Sequence, residues 1–140
     1  MESEAVFVDA NVFLRFLTKD VLDQAEAAHK LFQRAGQGNV SLVTTSMVVA
    51  EVIWTLESFY KETKEDIQPM VLSFLNTPGL EVKGGDLIIR ALLWYIDKNV
   101  DFIDAYNAAW MENYGITMIY TFDRNHFSRF GGMKVLTPGE

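Results

Sequence analysis

Val6-Phe7-Val8-Asp9-Ala10-Asn11-Val12-Phe13-Leu14-Arg15 decides the fold class of this 140-residue chain. The β-branched and aromatic run Val6–Val8 has the length of a buried strand and ends on a carboxylate, Asp9. Asn11 is expected to be the N-cap of a helix whose apolar stripe begins at Val12-Phe13-Leu14. A strand that closes on Asp, with a helix two residues later, presents charge at the carboxyl edge of an α/β sheet. Such folds bind ligands at that edge. The plain alternative makes Asp9 a helix cap and nothing more. The other acids of the chain decide between the two.

Downstream, Asp20 reads as the N-cap of a second helix with Leu22, Ala25, Ala28, His29 and Phe32 along one face and Gly36 past its end. His29 reads as packing or surface, since no acid or histidine recurs beside it at helical spacing. Gln37-Gly38-Asn39 is a turn, and Val40–Thr44 is the second strand. Thr45 or Ser46 then caps a helix from Met47 to about Tyr60. Glu51 is the only charge between Ser46 and Glu57 and has apolar neighbours on all sides. A carboxylate there is costly to bury unless it is paired, protonated or bound to a cation; otherwise it must reach solvent at the helix edge.

Thr63 with Asp66 marks a capping box that opens a helix through Asn76, and Leu80-Glu81-Val82 is a short third strand. An amphipathic helix covers Asp86–Lys98. Asp101 opens the next one, which Gly115 stops. Asp101 and Asp104 are three apart, so they share a face of its first turn. Asp101 as N-cap and Asp104 as a partner of the helix dipole is the simpler account; joint ligation of a metal is the other. Residues 116–121 form the fourth strand, and Asp123 follows it as Asp9 follows the first. His126, in the helical turn that starts at Arg124, is expected to face solvent or a phosphate. Met133-Lys134-Val135 is an edge strand.

Apolar residues make up 49% of the chain and aromatics 13%, which describes a globular protein with a real core. There is no Cys, so disulfides and thiolate metal sites are excluded. No apolar run approaches the roughly 20 residues of a membrane helix. The acidic start Met1-Glu2-Ser3-Glu4 does not resemble a signal peptide. The expectation is a single domain over residues 1–140, without a membrane segment, in the cytoplasm. A net charge of −7 argues against broad, non-specific nucleic-acid binding. It does not exclude a phosphodiester substrate, because two divalent cations at an acidic site would leave only −3.

Strands alternating with helices imply βαβ units, hence a mostly parallel sheet in a three-layer α/β sandwich. In such a sheet Asp9, Glu51, Asp104 and Asp123 can all reach one carboxyl edge. Two carboxylates about 5.5 Å apart at an effective dielectric near 20 repel by about 3 kcal/mol. Six such pairs amount to roughly 18 kcal/mol, more than the ~5–15 kcal/mol stability of a typical domain. Converging acids therefore need neutralising. Oxygen ligands without Cys or paired His suit Mg²⁺ or Mn²⁺ rather than zinc.

Four stretches, in order, also resemble the motifs of PIN domains. They are Val-Asp-Ala-Asn-Val-Phe-Leu-Arg at 8–15, Ser-Met-Val-Val-Ala-Glu-Val-Ile-Trp-Thr-Leu at 46–56, Asp-Phe-Ile-Asp-Ala-Tyr-Asn-Ala-Ala at 101–109 and Thr-Phe-Asp-Arg-Asn-His-Phe at 121–127. The likeness spans nearly the whole chain and is nearest to the VapC-like toxin ribonucleases of toxin–antitoxin modules. It implies a five-stranded parallel sheet and an endoribonuclease that uses one or two Mg²⁺ or Mn²⁺ ions. The family's acids carry over to Asp9, Glu51, Asp104 and Asp123, with Asn11, Ser46 and Thr121 at the motifs' polar supporting positions. Where some relatives place a further acid, this chain has Asn125. The resemblance also implies a homodimer and a small antitoxin whose tail reaches the acidic pocket.

The expected function is hydrolysis of RNA, with Asp9 and Asp104 as primary metal ligands and Glu51 and Asp123 completing the set. Arg15, Lys19, Arg124 and Arg129 flank these motifs and are candidates to hold phosphates. Phe13, Phe16, Trp54 and Phe127 have the apolar spacing of core residues rather than base-stacking ones. A non-catalytic PIN-like scaffold that docks a partner is the main alternative. Phosphatase and receiver folds want an Asp at Asn11 or a Lys near Tyr120-Thr121-Phe122, and neither is present.

Overall fold

A computed structural model describes residues 4–139. Five strands and seven helices alternate in this stretch: β1 Ala5–Phe7, α1 Ala10–Thr18, α2 Leu22–Gly36, β2 Ser41–Thr44, α3 Ser46–Ser58, α4 Lys64–Leu75, β3 Leu80–Val82, α5 Gly85–Asp97, α6 Phe102–Asn113, β4 Met118–Tyr120, α7 Arg124–Phe127 and β5 Lys134–Leu136. The chain divides into two compact units, one through Gly85 and one from Asp86. Among the described residues, no helix is long and apolar enough to cross a membrane.

Every strand pairing is parallel, as the βαβ alternation requires. The five strands do not join in one sheet, however. The first unit holds a three-stranded sheet in the order β1-β2-β3, and the second holds the pair β4-β5. Hydropathy patterns report how many strands there are and how they run, but not which edges meet. The expected five-stranded sheet is corrected on this point.

In the first unit, Phe7 pairs with Val43 and Thr44 with Val82, and the Val8 N–H donates to the Val43 carbonyl at 2.9 Å. β1 is an edge strand, which leaves Val6 and Phe7 about half exposed, so the expected buried strand is buried only at Val8. The apolar core lies among the helices. Phe13 of α1 is fully buried and stacks on Phe74 of α4 at 4.3 Å and on Phe32 of α2 at 5.5 Å between ring centroids. Ile67 and Val71 of α4 and Val49, Val52 and Leu56 of α3 are also fully buried. Thr63 caps α4 as expected, its hydroxyl accepting the Asp66 N–H at 3.2 Å. The turn before β3 depends on Gly79 (φ +85°), where an added Cβ would stand 2.2 Å from the Ala35 carbonyl oxygen.

Asp20 does not cap α2, whose N-cap is Val21. Its carboxylate accepts hydrogen bonds from the hydroxyls of Tyr60, at 2.7 Å, and Thr18, at 2.9 Å. These two hydroxyls, the Tyr60 bond foremost, with Arg15 alongside, hold the Asp20 carboxyl below its ordinary range.

In the second unit Ile88, Ala91 and Tyr95 of α5 are buried, as are Phe102, Ala105, Ala108 and Ala109 of α6. Tyr95 meets Phe102 edge-on at 6.3 Å. Phe127, the buried residue of α7, lies against Phe130, which in turn contacts Trp94. This apolar chain anchors a helix of only four residues.

Candidate functional site

The first unit presents Asp9 and Glu51, both exposed. Asp9 comes two residues after β1 ends and is itself the N-cap of α1: its Oδ1 accepts the Asn11 N–H at 3.2 Å. Asn11 was expected in that role, but β1 stops early enough for the carboxylate to take it. Thr44, a fully buried polar residue, donates its hydroxyl to the Val8 carbonyl at 2.8 Å and so fixes the backbone that delivers Asp9. Pattern reading gave no notice of Thr44, although a Thr closing a strand beside an acid-bearing neighbour is a usable signal.

Glu51 reaches solvent, as the plainer account had it. Met47 and Trp54, 82% and 65% exposed, line the same face of α3, so Trp54 is not the core residue its spacing suggested. Phe13 and Phe127 are buried as expected. Ser46 occupies the first position of α3, half-buried, while the Thr45 hydroxyl caps the helix by accepting the Val48 N–H.

The second unit gathers three carboxylates around one imidazole. His126 Nδ1 lies 2.9 Å from Asp104 Oδ2, 3.2 Å from Asp123 Oδ2 and 4.0 Å from Asp101 Oδ2. Asp104 and His126 are the sheltered members, with side chains 21% and 23% exposed. Asp123 caps α7 through Oδ1, which accepts the His126 N–H at 3.2 Å, and turns Oδ2 to the ring of the same residue. Thr121 holds this turn by accepting the Asp123 N–H at 2.9 Å, which gives its supporting position a physical content. Asn125 is exposed beside it.

Asp101 is the N-cap of α6 by backbone position, but its carboxylate makes no capping bond. The account of Asp101 as a side-chain cap is therefore corrected. His126, expected to face solvent or a phosphate, stands instead among the acids. Its spacing was a legible signal, because a residue three beyond an Asp N-cap returns to that cap's side of the turn.

Three of the four candidate phosphate-binding cations are tied up internally. Arg15 bonds Gln24, Asp20 and Tyr60, and the Arg129 guanidinium donates to the carbonyls of Lys98 and Asn99. Arg129 thereby ties the turn after α7 to the left-handed Asn99 (φ 50°), two residues before Asp101. Arg124 donates to the Thr137 hydroxyl at 2.7 Å, and Lys19 is exposed at the end of α1.

Asp101, Asp104 and His126 each offer a ligand atom, and these atoms lie within 4.8 Å of one another. Two oxygens and one nitrogen, with no sulfur, suit a divalent ion held mainly by oxygen. Without an ion, three carboxylates surround a single imidazole, and a divalent charge would relieve most of that excess.

Comparison with known proteins matches residues 6–133 to the model of the PIN domain family. A VapC ribonuclease of Aquifex aeolicus (strain VF5) is 27% identical over 133 residues, covering 95% of this chain and 96% of the relative. Among solved structures, the chain is similar to Mycobacterium tuberculosis VapC20, a Sarcin-Ricin loop cleaving toxin, at 18% identity and a TM-score of 0.39, covering 89% of this chain and 94% of that one. It is also similar to VapBC2 of Rickettsia felis, solved with a DNA fragment from the promoter, at 14% identity and a TM-score of 0.38, covering 96% and 98%. The family model runs from the first strand to the last acid-bearing turn: the chain belongs to the PIN domain family.

Proposed function

We propose that this chain is a metal-dependent endoribonuclease, the toxin of a toxin–antitoxin pair, with residues 1–140 acting as one nuclease domain. The observation that carries the reading is the second unit's cluster. Two acids at family motif positions, Asp104 and Asp123, share the imidazole of His126 in an arrangement with surplus negative charge. The 27% identity to a VapC ribonuclease over nearly the full chain supports the substrate class.

Asp9, Glu51, Asp104 and Asp123 would hold one or two Mg²⁺ or Mn²⁺ ions. When bound, such an ion supplies activation of water and screening of the charge that builds on the phosphate. One carboxylate of the set accepts the proton that the attacking water loses, and its fixed position at a helix N-terminus spares it reorganisation. Thr44 and Thr121 hold the backbones that present Asp9 and Asp123. Lys19 is the candidate for phosphate contact, since Arg15, Arg124 and Arg129 bond their own fold. Cytoplasmic location, a homodimer and a small antitoxin partner complete the proposal.

The test incubates the purified protein and Asp9→Asn with a panel of labelled RNAs, with and without Mg²⁺ or Mn²⁺. Asn keeps the helix cap, so the variant is expected to fold with its circular dichroism unchanged while cleavage falls at least about a hundredfold. Undiminished cleavage by the variant overturns the proposal. Binding of RNA without turnover by the unaltered protein indicates a scaffold instead.

A further inference from the structure

We propose that His126 is itself a metal ligand, giving this centre one nitrogen among its oxygens; this rests on the metal-centre reading above. An octahedral ion with bonds of about 2.1 Å holds neighbouring donors about 3 Å apart. Nδ1 of His126 lies 2.9 Å from Asp104 Oδ2 and 3.2 Å from Asp123 Oδ2, which matches two such edges. Hydrogen bonds have the same lengths, so the weight falls on the grouping: Asp101, Asp104 and His126 each bring a ligand atom within 4.8 Å of the others. The Asp101 carboxylate sits at a helix N-cap yet leaves its own helix uncapped. Its Oδ2 stops 4.0 Å from Nδ1, too far for a hydrogen bond, while its ligand oxygen remains within the 4.8 Å donor group. Asp101, 73% exposed and at ion-pair distance from the ring, stands where it can add a further oxygen to whatever Asp104 and His126 share.

The imidazole then has two states. In the ion-free molecule Nδ1 faces carboxylate oxygens and carries the hydrogen it donates to them. With an ion present, the Nδ1 lone pair is the ligand and the hydrogen sits on Nε2. A nitrogen ligand also turns the centre from Mg²⁺, which takes oxygen, toward transition ions that accept imidazole.

The test is electron spin-echo spectroscopy of the full-chain protein loaded with Mn²⁺ alone. Nitrogen coupling from a coordinated imidazole is expected, shifting to the ¹⁵N frequency when histidine is ¹⁵N-labelled. The chain has only two histidines, so His29→Gln should keep the coupling and His126→Gln should lose it. His126→Gln should also bind Mn²⁺ about tenfold more weakly while its Mg²⁺ affinity moves less. The ¹⁵N-labelled protein answers the question even if His126→Gln does not fold. Mn²⁺ binding without nitrogen coupling, or coupling that survives in His126→Gln, overturns the inference and leaves the metal-centre reading standing. No Mn²⁺ binding at all overturns both.

Discussion

The chain uses one local device twice, and the two copies differ in what holds them. In the first unit, β1 leads to Asp9, which caps α1; in the second, β4 leads to Asp123, which caps α7. Asp9 heads a nine-residue helix seated by the fully buried Phe13 in an aromatic stack. Asp123 heads a helix of four residues, too short to sustain itself, held by Phe127 and by polar ties. Those ties also bring His126, Asp104 and Asp101 to it, whereas among the described residues the Asp9 carboxylate has only its capping hydrogen bond from the Asn11 N–H. The same strand–Asp–helix grammar therefore yields an acid placed by apolar packing in one case and by polar staples in the other. A cap can be read locally; the company it keeps cannot.

The sharpest way to break this contrast is to remove the packing. Phe13→Ala should lower the unfolding free energy by about 3–5 kcal/mol in urea denaturation, because it empties the centre of a three-ring stack. A loss under about 1 kcal/mol would mean that α1 is not seated as described.

The polar side is tested at Arg129, whose guanidinium bonds the carbonyls of Lys98 and Asn99 just before Asp101. Arg129→Met keeps the apolar stem and removes the bonds. It should cost about 1.5–3 kcal/mol by the same measurement, the range for hydrogen bonds to a charged group, and should weaken Mn²⁺ binding as Asp101 loses its anchor. Unchanged stability would remove the staple from the account.

The smallest effect concerns Asp20 at the α1–α2 corner. Its folded carboxyl is held below the ordinary value, chiefly by the Tyr60 hydroxyl. A depressed folded value contributes stability that is full above the unfolded value and fades as pH falls through the folded one, so it is lost below about pH 4. Tyr60→Phe should flatten the acid limb of a stability-against-pH curve and leave its shape at neutral pH alone. An unaltered acid limb would count against the Tyr60 bond.

Much of this molecule was legible in its sequence because capping chemistry and hydropathy period are local. Thr63 and Leu80–Val82 stand where their patterns put them, and the amphipathic helix expected over Asp86–Lys98 is α5, with Ile88, Ala91 and Tyr95 buried. The errors fall where a distant partner or a single bond decides. Asp9 displaced Asn11 as the cap because both side chains serve and the strand ended one residue sooner. Trp54 looked like core because α3 is apolar on nearly every side, and spacing cannot say which side is left uncovered. The split into three-stranded and two-stranded sheets depends on strand edges, on which alternation is silent. His126 was underrated because its acids arrive partly on another helix, α6, twenty-two residues upstream.

The central proposal is that the acids heading both copies of the device act together in metal-dependent RNA cleavage. A cleavage cycle with Mn²⁺ tests it most directly, comparing the unaltered protein with Asp9→Asn, Asp123→Asn and the double variant on one labelled RNA. Groups that act as a unit are strongly non-additive. Each single variant should lose at least about a hundredfold in turnover, and the double should be little worse than either. Full cleavage by either single variant, or losses that simply multiply in the double, would contradict the account.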